Sequence, residues 1–207
     1  DMEGSRGLGD VYKRQSMLFV GGTASGKTTS LNACSLFLPW QHKIVSIEET
    51  RELNLPHPNW IPGCTRQGFG GESAGSGVKA AGEVDMYDLL RAALRERPEY
   101  IIVGEIRGAE AYVLFQAMAT GHTTYSTFHA DSIQSLVHRL ENKPIEIPRV
   151  LIPALDGISI QIQTRVGGKR VRRNKGIIEI IGIDPHSHEL LTNEAFRWDN
   201  TVDEFVF

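Results

Sequence analysis

The chain is poor in cysteine, in long apolar runs and in net charge, and each shortage removes a class of protein. Its 207 residues hold two cysteines, Cys34 and Cys64. Their spacing fits neither a metal knuckle nor a redox pair, and two thiols cannot build a disulfide-stapled scaffold. That usage accords with a reducing, cytosolic compartment, with Cys34 expected as a small buried residue of a helix. No stretch nears the ~18 consecutive apolar residues of a membrane-crossing helix, and the first residues carry no secretory signal pattern. Lys and Arg number 22 against 25 Asp and Glu, a net charge of −3. The whole molecule is therefore no polycation built to hold nucleic acid or an anionic membrane. With 41% apolar residues it can bury the core of one domain with a small appendage.

What is present centres on Met17–Ser30, MLFVGGTASGKTTS. It reads as an apolar strand, a glycine-rich turn and the start of a helix. Gly21, Gly26, Lys27 and Thr28 fill G-x-x-x-x-G-K-[ST], the phosphate-binding loop. Glycines let successive backbone N–H groups curl round a phosphate, and the following helix turns its positive end toward the same anion. Lys27 would reach the β- and γ-phosphates and the Thr28 hydroxyl would ligate Mg²⁺. The full loop of cofactor-binding candidates is Gly21, Gly22, Thr23, Ala24, Ser25, Gly26, Lys27, Thr28 and Thr29.

Around it the chain alternates strand and helix. Residues 1–15 show neither period and read as a non-native or disordered leader. Strands are expected at Met17–Val20, Lys43–Ile47, Tyr100–Val103 and Thr123–Thr127. Helices are expected at Thr28–Leu38 with Leu31, Ala33, Cys34 and Leu38 inward, at Met86–Arg97 capped by Asp85, and at Ala109–Thr120 closed by Gly121. Another runs from an Asp131 or Ser132 cap to about Leu140, and Pro148 opens a last one at Arg149–Leu155. Leu53–Gly63, with three prolines and no period, reads as an irregular connection. Thr65–Val84, with six glycines in twenty residues, reads as a mobile loop. This order implies right-handed crossovers and a mainly parallel sheet, with ligands at the carboxyl ends of its strands. From Ile158 the period changes to two and Val166–Lys169 signals a hairpin, so an antiparallel β appendage is expected over 158–207, with strands over Arg170–Ile183, near Leu190–Trp198 and at Glu204–Phe207. The division is thus a core at 16–157 and a β extension of the same domain at 158–207.

Phosphoryl transfer needs charge neutralisation and an oriented nucleophile. Carboxylates at strand ends are the candidates for the second need: Glu48 and Glu49 after KIVSI, and Glu105 after YIIVG, where Gly-Glu stands instead of the usual Asp. His122 and His129 flank one strand and are expected at the same edge, contacting the γ-phosphate. The other reading, zinc ligation, lacks a third and fourth ligand. Among Arg51, Arg66, Arg95, Arg97 and Arg107, some could act on a neighbouring subunit's γ-phosphate or lie exposed on helices. The basic run Lys169–Lys175, KRVRRNK, reads as a solvated hairpin, a docking surface or a nucleic-acid contact, and it has no interleaved aromatic for base stacking.

Four stretches, GGTASGKTTSLNA, IVSIEETRELNL, RPEYIIVGEIRG and ATGHTTYSTFHADS, carry a specific resemblance. Together they resemble the Walker A, Asp box, atypical Walker B and His box of the secretion ATPase superfamily of type II secretion, type IV pili and conjugation. The likeness is greatest to the archaeal branch, the archaellum motor ATPase and the archaeal type IV pilus assembly ATPases, and it runs from about Ser16 to the end. It implies an α/β, RecA-like P-loop motor domain that works as a homohexameric ring. ATP and Mg²⁺ would be the cofactors, with ATP between this domain and an N-terminal domain that supplies arginines and base contacts. It further implies a polytopic membrane platform protein as partner, a cytoplasmic place at the inner face of the membrane through partners only, and no specific nucleic acid. Residue by residue it implies Glu48, with Glu49, polarising water, Glu105 together with Thr28 at Mg²⁺, Arg107 beside them, and His129 with His122 sensing the γ-phosphate. Glu-Glu in place of Glu-Asp in the Asp box departs mildly from the pattern. The resemblance also implies chain before Ser16 and beyond Phe207. A nucleic-acid-translocating RecA-like ATPase is the alternative.

Overall fold

In the computed structural model, which describes residues 15–68 and 80–206, nine strands form one sheet in the order β3-β2-β4-β5-β1-β6-β7-β8-β9. The strands are β1 (Met17–Gly21), β2 (Ile44–Glu48), β3 (Trp60–Cys64), β4 (Tyr100–Val103), β5 (Thr123–Phe128), β6 (Gly157–Val166), β7 (Lys169–Ile183), β8 (Leu190–Asp199) and β9 (Glu204–Val206). Among the described residues the α-helices are α1 (Lys27–Ser35), α2 (Met86–Arg95), α3 (Glu110–Ala119) and α4 (Ile133–Glu141), with a 3₁₀ turn at Arg149–Ala154. Strands β3 to β6 of that order pair in parallel, and β7, β8 and β9 return antiparallel. Among the described residues no helix is long and apolar enough to cross a membrane.

Alternation along the central strands divides the core between the two faces. Leu18 and Val20 of β1, Val45 and Ile47 of β2, and Ile101 and Val103 of β4 pack with Leu90, Leu114, Phe115 and Leu136 of α2, α3 and α4. Phe19, Ile44, Tyr100 and Ile102 face the other way, onto Leu31, Leu38, Leu53 and Leu55. Parallel strands covered on both faces read as unbroken apolar runs, which is what YIIV is. Asp85 and Asp88 make a reciprocal capping box at the start of α2, and the Ser132 hydroxyl caps α4. Gly121 sits just past α3 at φ +94°. Gly167 and Gly168, at φ +54° and +80°, make the two-residue turn between β6 and β7.

Two expectations are corrected. Trp60–Cys64 is a strand, not irregular chain. Pro62 is tolerated there because β3 is the sheet edge and pairs only with β2. Helix α1 ends at Ser35, and its inward residues are Leu31 and Ser35. Cys34 is exposed, and the Ser35 hydroxyl is buried because it bonds back to the Leu31 carbonyl at 2.8 Å. The tail adds the expected antiparallel strands to the core sheet. Strand β6 pairs with β1 in parallel on one side and with β7 antiparallel on the other, so the sheet is continuous through it. Of the glycine-rich loop, residues 69–79 lie outside the described residues, and its two ends meet through an Arg66–Val84 bridge. The leader at 1–14 also lies outside them.

These corrections carry a stability test. Replacing fully buried Leu31 by Ala is expected to cost about 2–5 kcal/mol in urea unfolding, whereas Cys34→Ala should stay within about 0.5 kcal/mol, as exposed sites do. Equal losses at the two positions would contradict the helix orientation described.

Candidate functional site

Strand β1 ends at Gly21, and the loop to α1 is built by close approach. A Cβ on Gly21 would overlap the Gln161 carbonyl of β6 and the Ser25 hydroxyl. Gly26 lies at φ +99° as the N-cap of α1, and Ala24 also sits in the left-handed region at φ +59°. The Gly22 carbonyl gathers three donors: Lys27 Nζ at 2.8 Å, Ser25 Oγ at 2.9 Å and Ser25 N–H at 3.4 Å. Partial burial holds the Lys27 ammonium pKa below its ordinary value. The nearby Glu105 carboxylate pulls it back up and Arg107 pushes it further down.

Parallel strands deliver the other groups to the same edge. A cavity of about 380 Å³ is lined by Thr23, Ala24, Lys27 and Thr28 of the loop together with Glu48, Glu49, Glu105, Arg107 and His129. Glu48 is 2% exposed. Its Oε1 accepts the backbone N–H groups of Glu52 and Leu53, both at 3.0 Å. Its Oε2 is buried with no hydrogen-bond partner among the described residues. The carboxylate is thus locked by one oxygen and offers the other. Gly104 makes room for it, since a Cβ there would stand 3.2 Å from Glu48 Cγ. That packing accounts for Gly at the strand end where an Asp is usual.

Glu105 is held by Arg107, whose Nε donates to it at 3.0 Å and whose Nη2 bonds the same oxygen. Arg107 Nη1 lies 3.7 Å from Glu49 Oε2, so one exposed guanidinium spans both acid stretches. The hydrogen bond and charge of Glu105 raise the Arg107 pKa above its ordinary value. The backbone between β4 and α3 is fixed from two sides. Thr127 Oγ1 donates to the Gly104 carbonyl at 2.6 Å, and Glu110 Oε1 accepts the N–H groups of Arg107 and Gly108 at 2.7 and 2.8 Å.

His129 follows β5 and reaches the cavity. His122 precedes β5 and lies at the opposite end of that strand, in a cleft with His42, Pro98, Glu99 and Tyr100. The expectation that both histidines share one edge is therefore corrected: a strand of six residues separates its two ends by about 20 Å. Gly21, Gly22, Ser25, Gly26 and Thr29 shape the loop without lining the cavity. Sequence reasoning passed over two contributors. Thr127 is visible only as one of three threonines in TTYSTF. Arg172, in the basic run, donates from Nε to the Ala24 carbonyl at 2.8 Å across 148 residues of chain. No local spacing signals either contact.

The cavity-lining residues that could hold a metal offer oxygens: the Thr28 hydroxyl and the Glu105 and Glu48 carboxylates. Among the described residues no group of three or more His, Cys, Asp or Glu gathers as a metal cluster. That set fits Mg²⁺, which takes one or two protein oxygens and completes its shell with phosphate and water.

The family model described as "Type II/IV secretion system protein" matches residues 10–195. An uncharacterized protein of Methanocaldococcus jannaschii is 47% identical over 197 residues, 95% of this chain and 70% of that protein. The type IV secretion system protein PtlH of Bordetella pertussis is 33% identical over 178 residues, 79% of this chain and 49% of that protein. Among solved structures, the VirB11 ATPase of the Brucella suis type IV secretion system superposes with a TM-score of 0.61 at 26% identity, over 81% of this chain and 52% of its own. The pilus retraction motor PilT, solved with bound ADP, gives 0.59 at 25% identity, over 87% and 51%. The chain thus spans about half the length of those secretion and pilus proteins. The sheet order, the phosphate loop and the matched residues converge, and the chain belongs to the type II/IV secretion system protein family.

Proposed function

We propose that this chain is the ATP-hydrolysing motor module of a secretion or type IV pilus-like filament machine, converting ATP and water to ADP and phosphate. The observation that carries the reading is Glu48: a buried carboxylate, anchored by two backbone N–H groups and with one oxygen left unpaired, on a residue that lines the same cavity as Lys27. A phosphate loop alone binds nucleotide. A fixed, unsatisfied carboxylate beside it can accept a hydrogen bond from the attacking water.

In this reading the loop amides of Gly22–Thr29 and Lys27 hold the β- and γ-phosphates. Thr28 and Glu105 hold Mg²⁺, which neutralises charge developing on the phosphate oxygens. Glu48 orients the water, with Glu49 at the cavity mouth, and His129 contacts the γ-phosphate. Arg107, which pairs with Glu105 and Glu49 here, exchanges those partners for phosphate oxygen when nucleotide enters. His122 is left out of this cavity, and any part in sensing would be played from the far edge of the sheet.

At the scale of the machine, the module works as a homohexameric ring at the inner face of the cell membrane. It resides in the cytoplasm and acts on a polytopic membrane platform protein to drive filament assembly, secretion or archaellum rotation. Kinship with the VirB11 ATPase and the PilT motor supports this level of the reading. Nucleic-acid translocation is disfavoured because two cations of the basic run are already spent: Arg172 on Ala24 and Arg173 bidentately on Asp203, at 2.7 and 2.6 Å.

Turnover and binding of the complete protein test the roles separately. Lys27→Ala is expected to abolish hydrolysis. Glu48→Gln should lower kcat by roughly 10²–10⁴, the usual loss of a general base, with KM within a few-fold. Glu105→Ala should bind nucleotide much as before yet turn over slowly. Unchanged turnover in Glu105→Ala would sink the assignment. A ring that assembles on a non-hydrolysable analogue, with no turnover by the unaltered protein, would make the module a nucleotide-gated scaffold instead.

A further inference from the structure

The basic hairpin is the one sequence feature that the site described above does not absorb. Strand β6 runs alongside β1 as far as the Gly21–Gln161 pair and then continues to Val166 without a β1 partner. It overhangs the phosphate loop, and β7 returns beside it, with Arg172 opposite Gln163. Loop and β7 are separated by the width of β6, about 10 Å for two strand spacings. A long side chain is needed to span that gap, and Arg172 spans it. Its Nε donates to the Ala24 carbonyl at 2.8 Å, and its Cδ would stand 3.4 Å from a Cβ placed on Gly26.

The Ala24 carbonyl and the Ser25 N–H belong to one planar trans peptide and point in opposite directions. Fixing one end aims the other. At present the Ser25 N–H rests on the Gly22 carbonyl at 3.4 Å, a long bond to an oxygen already taken by Lys27 Nζ and Ser25 Oγ. It is the weakest of the three and the easiest to give up to a phosphate oxygen. A guanidinium on the carbonyl also polarises the peptide and strengthens its N–H as a donor. The neighbouring residue keeps the hairpin from drifting. Arg173 makes a bidentate pair with Asp203, and Asp203 also accepts from Trp198 Nε1 at 2.8 Å. The strand presenting Arg172 is thus braced by the β8–β9 turn.

The geometry points to Arg172 as a positioning residue of the phosphate site: through the Ala24 carbonyl it sets the Ala24–Ser25 peptide so that the loop is preorganised for the polyphosphate of a nucleotide. The inference rests on the phosphate-loop reading. It adds to that reading a wall of the site that lies outside the strand–loop–helix motif.

Calorimetric titration of MgADP and of inorganic pyrophosphate into the complete protein tests it. Gln carries a donor nitrogen at the same number of bonds from Cα as Arg Nε, without the charge, and Met carries none. Arg172→Met is expected to weaken both anions about tenfold, the worth of one charge-assisted hydrogen bond. Arg172→Gln should stay within about threefold of the unaltered protein, with thermal midpoints of both variants close to it. Wild-type affinity in Arg172→Met overturns the inference. So does equal loss in both variants, which would make the cationic charge, and not the hydrogen bond, the active feature. Lys27→Ala separates the two levels. If it binds both anions undiminished, the phosphate-loop reading itself fails. If it loses them while Arg172→Met keeps them, Arg172 alone is withdrawn.

Discussion

Direction is the constraint on which this structure depends. Six strands run the same way, so every chain segment leaving one of them does so at a single edge of the sheet. The phosphate loop leaves β1 there, the acidic pair Glu48–Glu49 leaves β2, Glu105 leaves β4 and His129 leaves β5. Residues as far apart in sequence as Lys27 and His129 therefore come to line one cavity. The same rule explains the exclusion of His122, which enters β5 instead of leaving it. Only six residues separate the two histidines, yet they stand at opposite ends of β5.

The charged groups at this edge are held by one another and by the backbone. Lys27 rests on a backbone carbonyl, Arg107 is shared between Glu105 and Glu49, and Glu48 has spent one oxygen on the turn that follows it. Each of these contacts is made by a side chain and none belongs to the sheet's backbone ladder, so partners can be traded without disturbing the strands. Glu48 differs from the rest. It is buried, and its second oxygen has no partner among the described residues to trade, a cost of about 1–3 kcal/mol for a buried polar atom left unpaired. Such a cost is tolerated where a ligand or water completes the set.

Much of this was legible in the residues. The central strands announced themselves as apolar runs, Asp85 as a cap, Gly167–Gly168 as a turn, and the loop by its glycines and lysine. The failures have physical causes. Strand β3 carries a proline and faces solvent on one side, so neither period nor propensity marks it. Helix α1 lacks a continuous apolar face, because its place is set by the loop before it, and Cys34 consequently points outward. The pairing of β6 with β1 is a long-range choice that its own alternation cannot encode. Arg172 is the extreme case: its contact depends on an overhang created by two strand lengths.

That overhang has a mechanical consequence. Strand β6 is joined to β7 by ten residue pairs and to β1 by five, and its last five residues project beyond β1 by roughly 16 Å at ~3.3 Å per residue. A load along the axis of the projecting ribbon would fall on all of those rungs together, whereas a sideways load would open them one at a time. The ribbon is accordingly stiff to push and pull and weak to peeling. Rooted beside Gly21, it can pass a displacement of the phosphate loop outward to whatever grips its tip, or carry a force from the tip back to the loop, with little lost in bending.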